Sequence, residues 1–188
     1  EETLQIEGAF NYAQEALDHP SEGIRIAASR VFERLAAVSS IMGDRAGQAL
    51  PYLVEAAGHP LAGVREASLR AIDKITSIPT DIQPRIASFL KSKDKHVRAA
   101  AAIVLGKMAN LPTPVVHDLI ALLGDPAKEV REAVAKSLKN INSSEAKFYF
   151  YLYTGDFERA SRVENAPAYA TEALHHLNDD MRASAAQV

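Results

Sequence analysis

Apolar residues along this chain recur every three or four positions, the spacing that gives an α-helix one sticky face. The clearest stretch runs from Asp125 to Ile141 and sets Val130, Ala133, Val134, Leu138 and Ile141 on one stripe. Asp125 is the expected N-cap of this helix and Pro126 its expected first residue, where a missing N–H costs nothing. The same frame occurs five times when the copies are aligned on one arginine. Arg25, Arg65, Arg98, Arg131 and Arg182 each follow an apolar residue (Ile24, Val64, Val97, Val130 and Met181), and small residues follow them two and usually three positions on. These arginines stand 40, 33, 33 and 51 residues apart.

Past each arginine the stripe continues. It passes through Val31, Phe32 and Leu35, then Ala71, Ile72 and Ile75, then Val104, Leu105 and Met108, then Leu138 and Ile141. Ahead of each arginine lies a second stripe, for example Ala13, Ala16 and Leu17 in the first copy and Leu119, Leu122 and Leu123 in the fourth. Pro51 and Pro84 both sit 14 residues before their arginines and mark the start of that helix or a kink in it. Each copy is therefore predicted to be helix, tight turn, helix. A lone hairpin leaves apolar surface uncovered, whereas hairpins stacked side by side share one continuous core. The predicted fold is all-α: an α-solenoid, a right-handed superhelix of about five helical hairpins, with an extra helical insertion before the last. The expected units are about 8–38, 46–77, 80–110, 113–142 and 166–188, with the insertion at 143–165, all in one array over 1–188. The last unit stops before its second helix is complete and the first lacks a clear cap, so both ends are expected to be cuts from a longer array.

The run of Asp-Pro, then Val-Arg, then Ala-Ala resembles the HEAT-repeat family, and in particular its short bacterial-type, PBS-lyase-like variety. The resemblance covers roughly 8–142 and 166–188. The spacing of 33 departs from the 40–47 residues usual for HEAT and armadillo units. His19, His59, Ser92 and His176 also stand where an aspartate is expected, which leaves any Asp–Arg ladder between repeats incomplete. The resemblance implies a protein-interaction scaffold whose second helices line the concave face. Ile26, Leu69 and Ile103, off the main stripe of those helices, are candidate contacts there. The resemblance also implies a structural role for the five arginines, each bonded to carbonyls or acids of a neighbouring unit. The competing reading is a column of guanidinium groups clamping an acidic peptide or phosphates.

Two irregularities break the array. The connection Ser39–Gly47 carries about seven extra residues. The larger insertion, 143–165, holds Phe148, Tyr149, Phe150, Tyr151, Tyr153 and Phe157, half of the chain's twelve aromatic side chains. Thr154-Gly155 is the expected turn of one extra helical hairpin. Tyr149, Tyr151, Tyr153 and Phe157 are candidate partner-binding residues, because aromatics bury much area while immobilising few rotors. The alternative is that Phe148, Tyr151 and Phe157 pack inward and repair an irregular join.

Charge and composition narrow the chemistry. A net charge of −3 argues against general nucleic-acid or anionic-membrane binding. No apolar run approaches the roughly 18 residues needed to span a bilayer. With no cysteine, disulfides, thiol catalysis and cysteine-ligated zinc are excluded, and the chain reads as cytoplasmic. HEAT-like di-iron hydroxylases use His-Glu pairs as ligands, and no His-Glu dipeptide occurs here. HEAT-like DNA glycosylases use a basic, aromatic surface, against which balanced charge and the lack of tryptophan count. No nucleophile elbow or phosphate-cradling glycine loop is found. The expectation is a non-enzymatic protein-binding scaffold with no metal, cofactor, nucleic acid or membrane. The alternative is a subunit of a HEAT-like enzyme such as a bilin lyase or other chromophore-handling factor.

Overall fold

The computed structural model describes residues 12–13, 15–17, 19–37, 47, 50–60, 62–76, 78–176 and 179–188, without the side chains of 29, 32, 33 and 35–37. The stripe positions Phe32 and Leu35, and the connection 39–47 apart from Gly47, lie outside what is described. No strand occurs among the described residues. The chain forms two compact units, 1–104 and 105–188, taken here one at a time.

In the first unit, α1 (Glu22–Ala37) packs on α3 (Ala62–Lys74), and α2 (Leu50–Ala56) packs on α3 and on α4 (Gln83–Ser88). A last helix, α5, spans Lys95–Leu105 and reaches the boundary. Pro84 sits in the first turn of α4, where the proline ring is tolerated. The stripes read from the sequence are the buried ones: Leu53, Ala57, Val64, Ala71 and Ile72 are sealed from solvent.

In the second unit, α6 (Thr113–Ala121) continues as a short 3₁₀ turn, Leu122–Gly124, before α7 (Lys128–Asn140). Then come α8 (Ser144–Thr154), α9 (Phe157–Ser161), α10 (Ala166–Ala173) and α11 (Asp179–Ala185). The insertion is thus the helical hairpin the sequence suggested, but it is no appendage. Helix α8 packs against α6, α7, α9, α10 and α11, so it is the hub of this unit. The cause is its aromatic content. Phe148 is fully buried, edge-on to Tyr149 (5.5 Å, 86°) and 5.6 Å from Tyr169, and Ala146 and Leu152 complete its inner face. A glycine sets the close join behind α7: a Cβ added at Gly106 would stand 2.5 Å from Ser137 Cβ and Oγ and 2.6 Å from its Cα.

One local expectation is corrected. Asp125 and Pro126 do not start α7, which begins at Lys128 with Ala127 at the cap position and no side-chain cap. Asp125 instead closes the preceding 3₁₀ turn through its own N–H to Leu122 O (3.1 Å), and its Oδ1 accepts from Ala127 N (2.9 Å). A short acceptor that folds back on the backbone two residues ahead makes a turn rather than a cap.

Candidate functional site

The five arginines have one geometry. In each hairpin a terminal guanidinium nitrogen donates to the backbone carbonyl six residues earlier, in the turn that joins the two helices, and in the first four also to the carbonyl five residues earlier. Arg65 Nη1 reaches His59 O (2.9 Å) and Pro60 O (2.7 Å). Arg98 reaches Ser92 O (2.9 Å) and Lys93 O (3.1 Å), and Arg131 reaches Asp125 O (2.7 Å) and Pro126 O (3.1 Å). Arg25 bonds His19 O and, at 2.8 Å, Pro20 O; Arg182 bonds His176 O at 2.8 Å. The carbonyls belong to the arginine's own unit, not to a neighbour as expected. Turn carbonyls that end a helix have no partner inside it, and one guanidinium nitrogen, with two hydrogens to donate, meets two of them at once from one helical turn into the next helix.

In three of the five turns the residue six before the arginine has the same task, whatever its type. Asp125 Oδ1 accepts from Ala127 N, Ser92 Oγ from Asp94 N (3.2 Å), and His19 Nδ1 from Ser21 N (3.0 Å). Aspartate, serine and histidine each carry an acceptor at the reach this turn needs, so Ser92 and His19 close the turn as Asp125 does. His59 holds the same position. Its pKa is depressed by partial burial and by Arg25, with Glu22 opposing and Arg65 adding to the effect.

The broken repeat is where side chains gather without a turn to close. Ser143 caps α8 by accepting from Ala146 N, Gly155 ends it in the left-handed region (φ 75°), and Asp156 caps α9 by accepting from Arg159 N (3.1 Å). Only glycine adopts that φ without strain, which is why the hairpin turns at Gly155. Helix α8 then borders two clefts.

On one side a cleft of about 310 Å³ is lined by His117, Ile120, Glu145, Tyr149, Glu172 and His176 among others. His117 Nε2 lies 3.1 Å from Glu145 Oε1. Burial pushes the Glu145 carboxyl up, opposed by His117 and reinforced by Glu172. The Tyr149 hydroxyl is held well above its ordinary range by burial, then by Glu172 and Glu145. His176 is fixed by a ring nitrogen 3.1 Å from Ile120 O. Among the described residues no group of three or more His, Asp or Glu is arranged to hold a metal ion.

On the other side Ser144, Lys147 and Tyr151, spaced three and four apart on α8, face Arg159 of α9 and Arg162, Val163 and Glu164 of the following turn across about 330 Å³. The Tyr151 ring lies 5.4 Å from that of Phe150, tilted by 55°, and the Phe150 ring also carries Lys139 Nζ at 5.9 Å.

The candidate residues separate accordingly. Tyr149 is 2 % exposed, packed against Phe148 and 6.3 Å from the His176 ring, so it offers a partner no surface; it is core because it falls on the inner face of α8 with Leu152 and Ala146. Tyr151, Tyr153 and Phe157 are half-buried, and of these Tyr151 lines the second cleft. Ile26, Leu69 and Ile103 are half-buried on α1, α3 and α5. Ile26 Cδ1 lies 3.1 Å from where a Cβ on Gly63 would stand, so it sits at the α1–α3 contact. Sequence reasoning missed Lys147, Arg159 and Arg162 as a group, and His117 with Glu145. The first group had a signal, since 144, 147 and 151 share a helical face; the second pairs residues 28 apart and had none.

Comparison with known proteins bears on the fold. Residues 82–149 match the family model for HEAT repeats. No curated protein matches the chain. Solved structures do. A structure described under TOG–tubulin binding specificity in microtubule dynamics and mitotic spindle formation has a TM-score of 0.58 at 14% identity, over 95% of this chain and 65% of that one. An engineered protein has a TM-score of 0.48 at 16% identity, over 95% and 96%. A designed armadillo repeat protein in complex with the peptide (KR)4 has 0.47 at 19%, over 98% and 84%. Residues 82–149 are thus similar to HEAT repeats, and the all-helical fold is similar to that of the solved structure with a TM-score of 0.58.

Proposed function

We propose, from the premise that this is a HEAT-repeat chain, that it is a non-enzymatic protein-binding scaffold in the cytoplasm, and that the insertion hairpin α8–α9 is part of its binding surface. The observation that carries this reading is the division of labour among the arginines and aromatics. The five repeat arginines are taken up by turn carbonyls, which favours the structural role over a guanidinium column open to ligands. The insertion instead leaves Tyr151 and Tyr153 half-exposed on α8, whose inner face is locked by Phe148, and Phe157 half-exposed at the start of α9, with Tyr151 lining a cleft. Anchors held on a rigid element are what an interface needs, because few rotors remain to be immobilised on binding. In the first unit, taken by itself, half-buried Ile26, Leu69 and Ile103 remain candidate contacts on the second helices. Among the described residues no helix is long and apolar enough to cross a membrane.

The test is co-purification from the natural host with the tagged chain and with a Tyr151→Ser, Tyr153→Ser, Phe157→Ser variant. The expected result is a specific partner protein, recovered about tenfold less with the variant while far-UV circular dichroism stays helical. Equal recovery by both proteins would remove the insertion from the reading, and the absence of any specific partner would remove the scaffold.

A further inference from the structure

We propose that the cleft between α8 and α9 docks an acidic segment of the partner protein, whose Asp or Glu side chains are held by Lys147, Arg159 and Arg162. This deepens the scaffold reading and rests on it. The charge distribution points there. Residues 143–188 carry seven acidic side chains and four basic ones: Lys147, Arg159, Arg162 and Arg182. Arg182 is bonded to the His176 carbonyl of its turn. The other three, in a segment of net negative charge, all line one cleft, with Glu164 as the acid among its lining residues.

The arginines have carboxylate partners that a ligand can replace. Arg159 pairs with Asp156 at 3.3 Å and Arg162 with Glu158, both within one helical turn. The arginine side chains are 69% and 74% exposed, and such surface pairs contribute little, because solvent screens them. Exchanging one carboxylate for another across a guanidinium therefore costs little, while a partner gains a fork-shaped donor. Tyr151 and Val163 supply apolar contact beside the charges. The volume, about 330 Å³, is that of a small ligand pocket and admits side chains of an extended segment rather than a folded domain.

The experiment uses the whole chain and defined probes. A fluorescein-labelled ten-residue peptide of alternating Glu and Leu is titrated by anisotropy at low salt, beside the same peptide with Lys in place of Glu. The expected result is a Kd on the order of tens of micromolar for the Glu peptide, weakened by added salt and about tenfold by Arg159→Glu with Arg162→Glu. The Lys peptide should bind at least tenfold more weakly. Both substitutions lie on exposed side chains, and circular dichroism confirms that the variant is folded. Equal binding of the two peptides, or a Glu peptide indifferent to the double variant, would overturn the inference. So would inorganic phosphate that binds and responds to the variant while the Glu peptide does not, since that is a small-anion site. A host partner that still needs Tyr151, Tyr153 and Phe157 when the Glu peptide fails would sink this inference alone and leave the scaffold standing.

Discussion

Arg98→Met tests the turn geometry that every unit shares. The substitution keeps most of the side chain's apolar stem and deletes the guanidinium that donates to Ser92 O at 2.9 Å and Lys93 O at 3.1 Å. Hydrogen bonds from charged donors are each worth about 1.5–3 kcal/mol. The two do not count equally. Lys93 O is at the exposed end and regains a water, so its loss is nearly neutral; Ser92 O is part-buried and stays short of a partner. The net cost is therefore close to one such bond, about 2 kcal/mol. In a chain of this size that lowers Tm by about 4–8 °C if unfolding is cooperative. Repeat arrays often unfold by parts, so hydrogen exchange is the sharper assay. The Ser92 amide, bonded to Phe89 O, and the Arg98 amide, bonded to Asp94 O, report the turn directly. Their protection should fall by about thirtyfold, the equivalent of 2 kcal/mol. Arg98→Lys, with a point charge in place of the fork, should lose roughly half as much. A global change below about 0.5 kcal/mol together with unchanged exchange at both amides would refute the reasoning.

Three further outcomes follow from the packing and the titrating groups. Gly106→Ala should cost about 1–3 kcal/mol in denaturant melts, because the new methyl meets Ser137 Cα at 2.6 Å and backbone cannot yield as a side-chain tip does; a variant as stable as the parent would show that α7 is not held against this glycine. Phe148→Ala should cost about 3–5 kcal/mol and loosen the second unit, since it empties the fully buried face of α8, and a loss confined below about 1 kcal/mol would deny α8 its place as hub. For His59 the folded pKa lies below the ordinary histidine value of 6.5, so folding excludes its proton; the stability tied to the neutral ring is present above pH 6.5 and is lost as pH falls through the depressed folded pKa. His59→Asn should therefore reduce the drop in Tm between pH 7.5 and 5.5, and parallel pH profiles for the two proteins would contradict this.

The legible part of the fold was its periodicity. A helical stripe must be buried on something, and five stripes in one register are all covered when the hairpins stack, so the pattern alone marks Val64, Leu105 and Val130 as core, and all three are fully buried. The Asp-Pro start of Asp125 misled because a turn-closing aspartate and a helix N-cap look alike in sequence. They differ only in which amide the carboxylate meets, and here that amide is Ala127, before the helix begins.

The sequence by itself determined that the chain is helical, repetitive, free of thiol chemistry and anomalous between 143 and 165, since composition and spacing act locally. Tertiary structure decided the rest. It turned the repeat arginines toward their own turn carbonyls, because the six-residue return path exists only once the two helices fold back on each other. It buried Phe148 and Tyr149 while leaving Tyr151 at a cleft, because an aromatic run on a helix has no inside until neighbours pack against one face. It also brought Lys147, Arg159 and Arg162 together across a glycine turn, since convergence of charge depends on where a hairpin closes and not on the charges themselves.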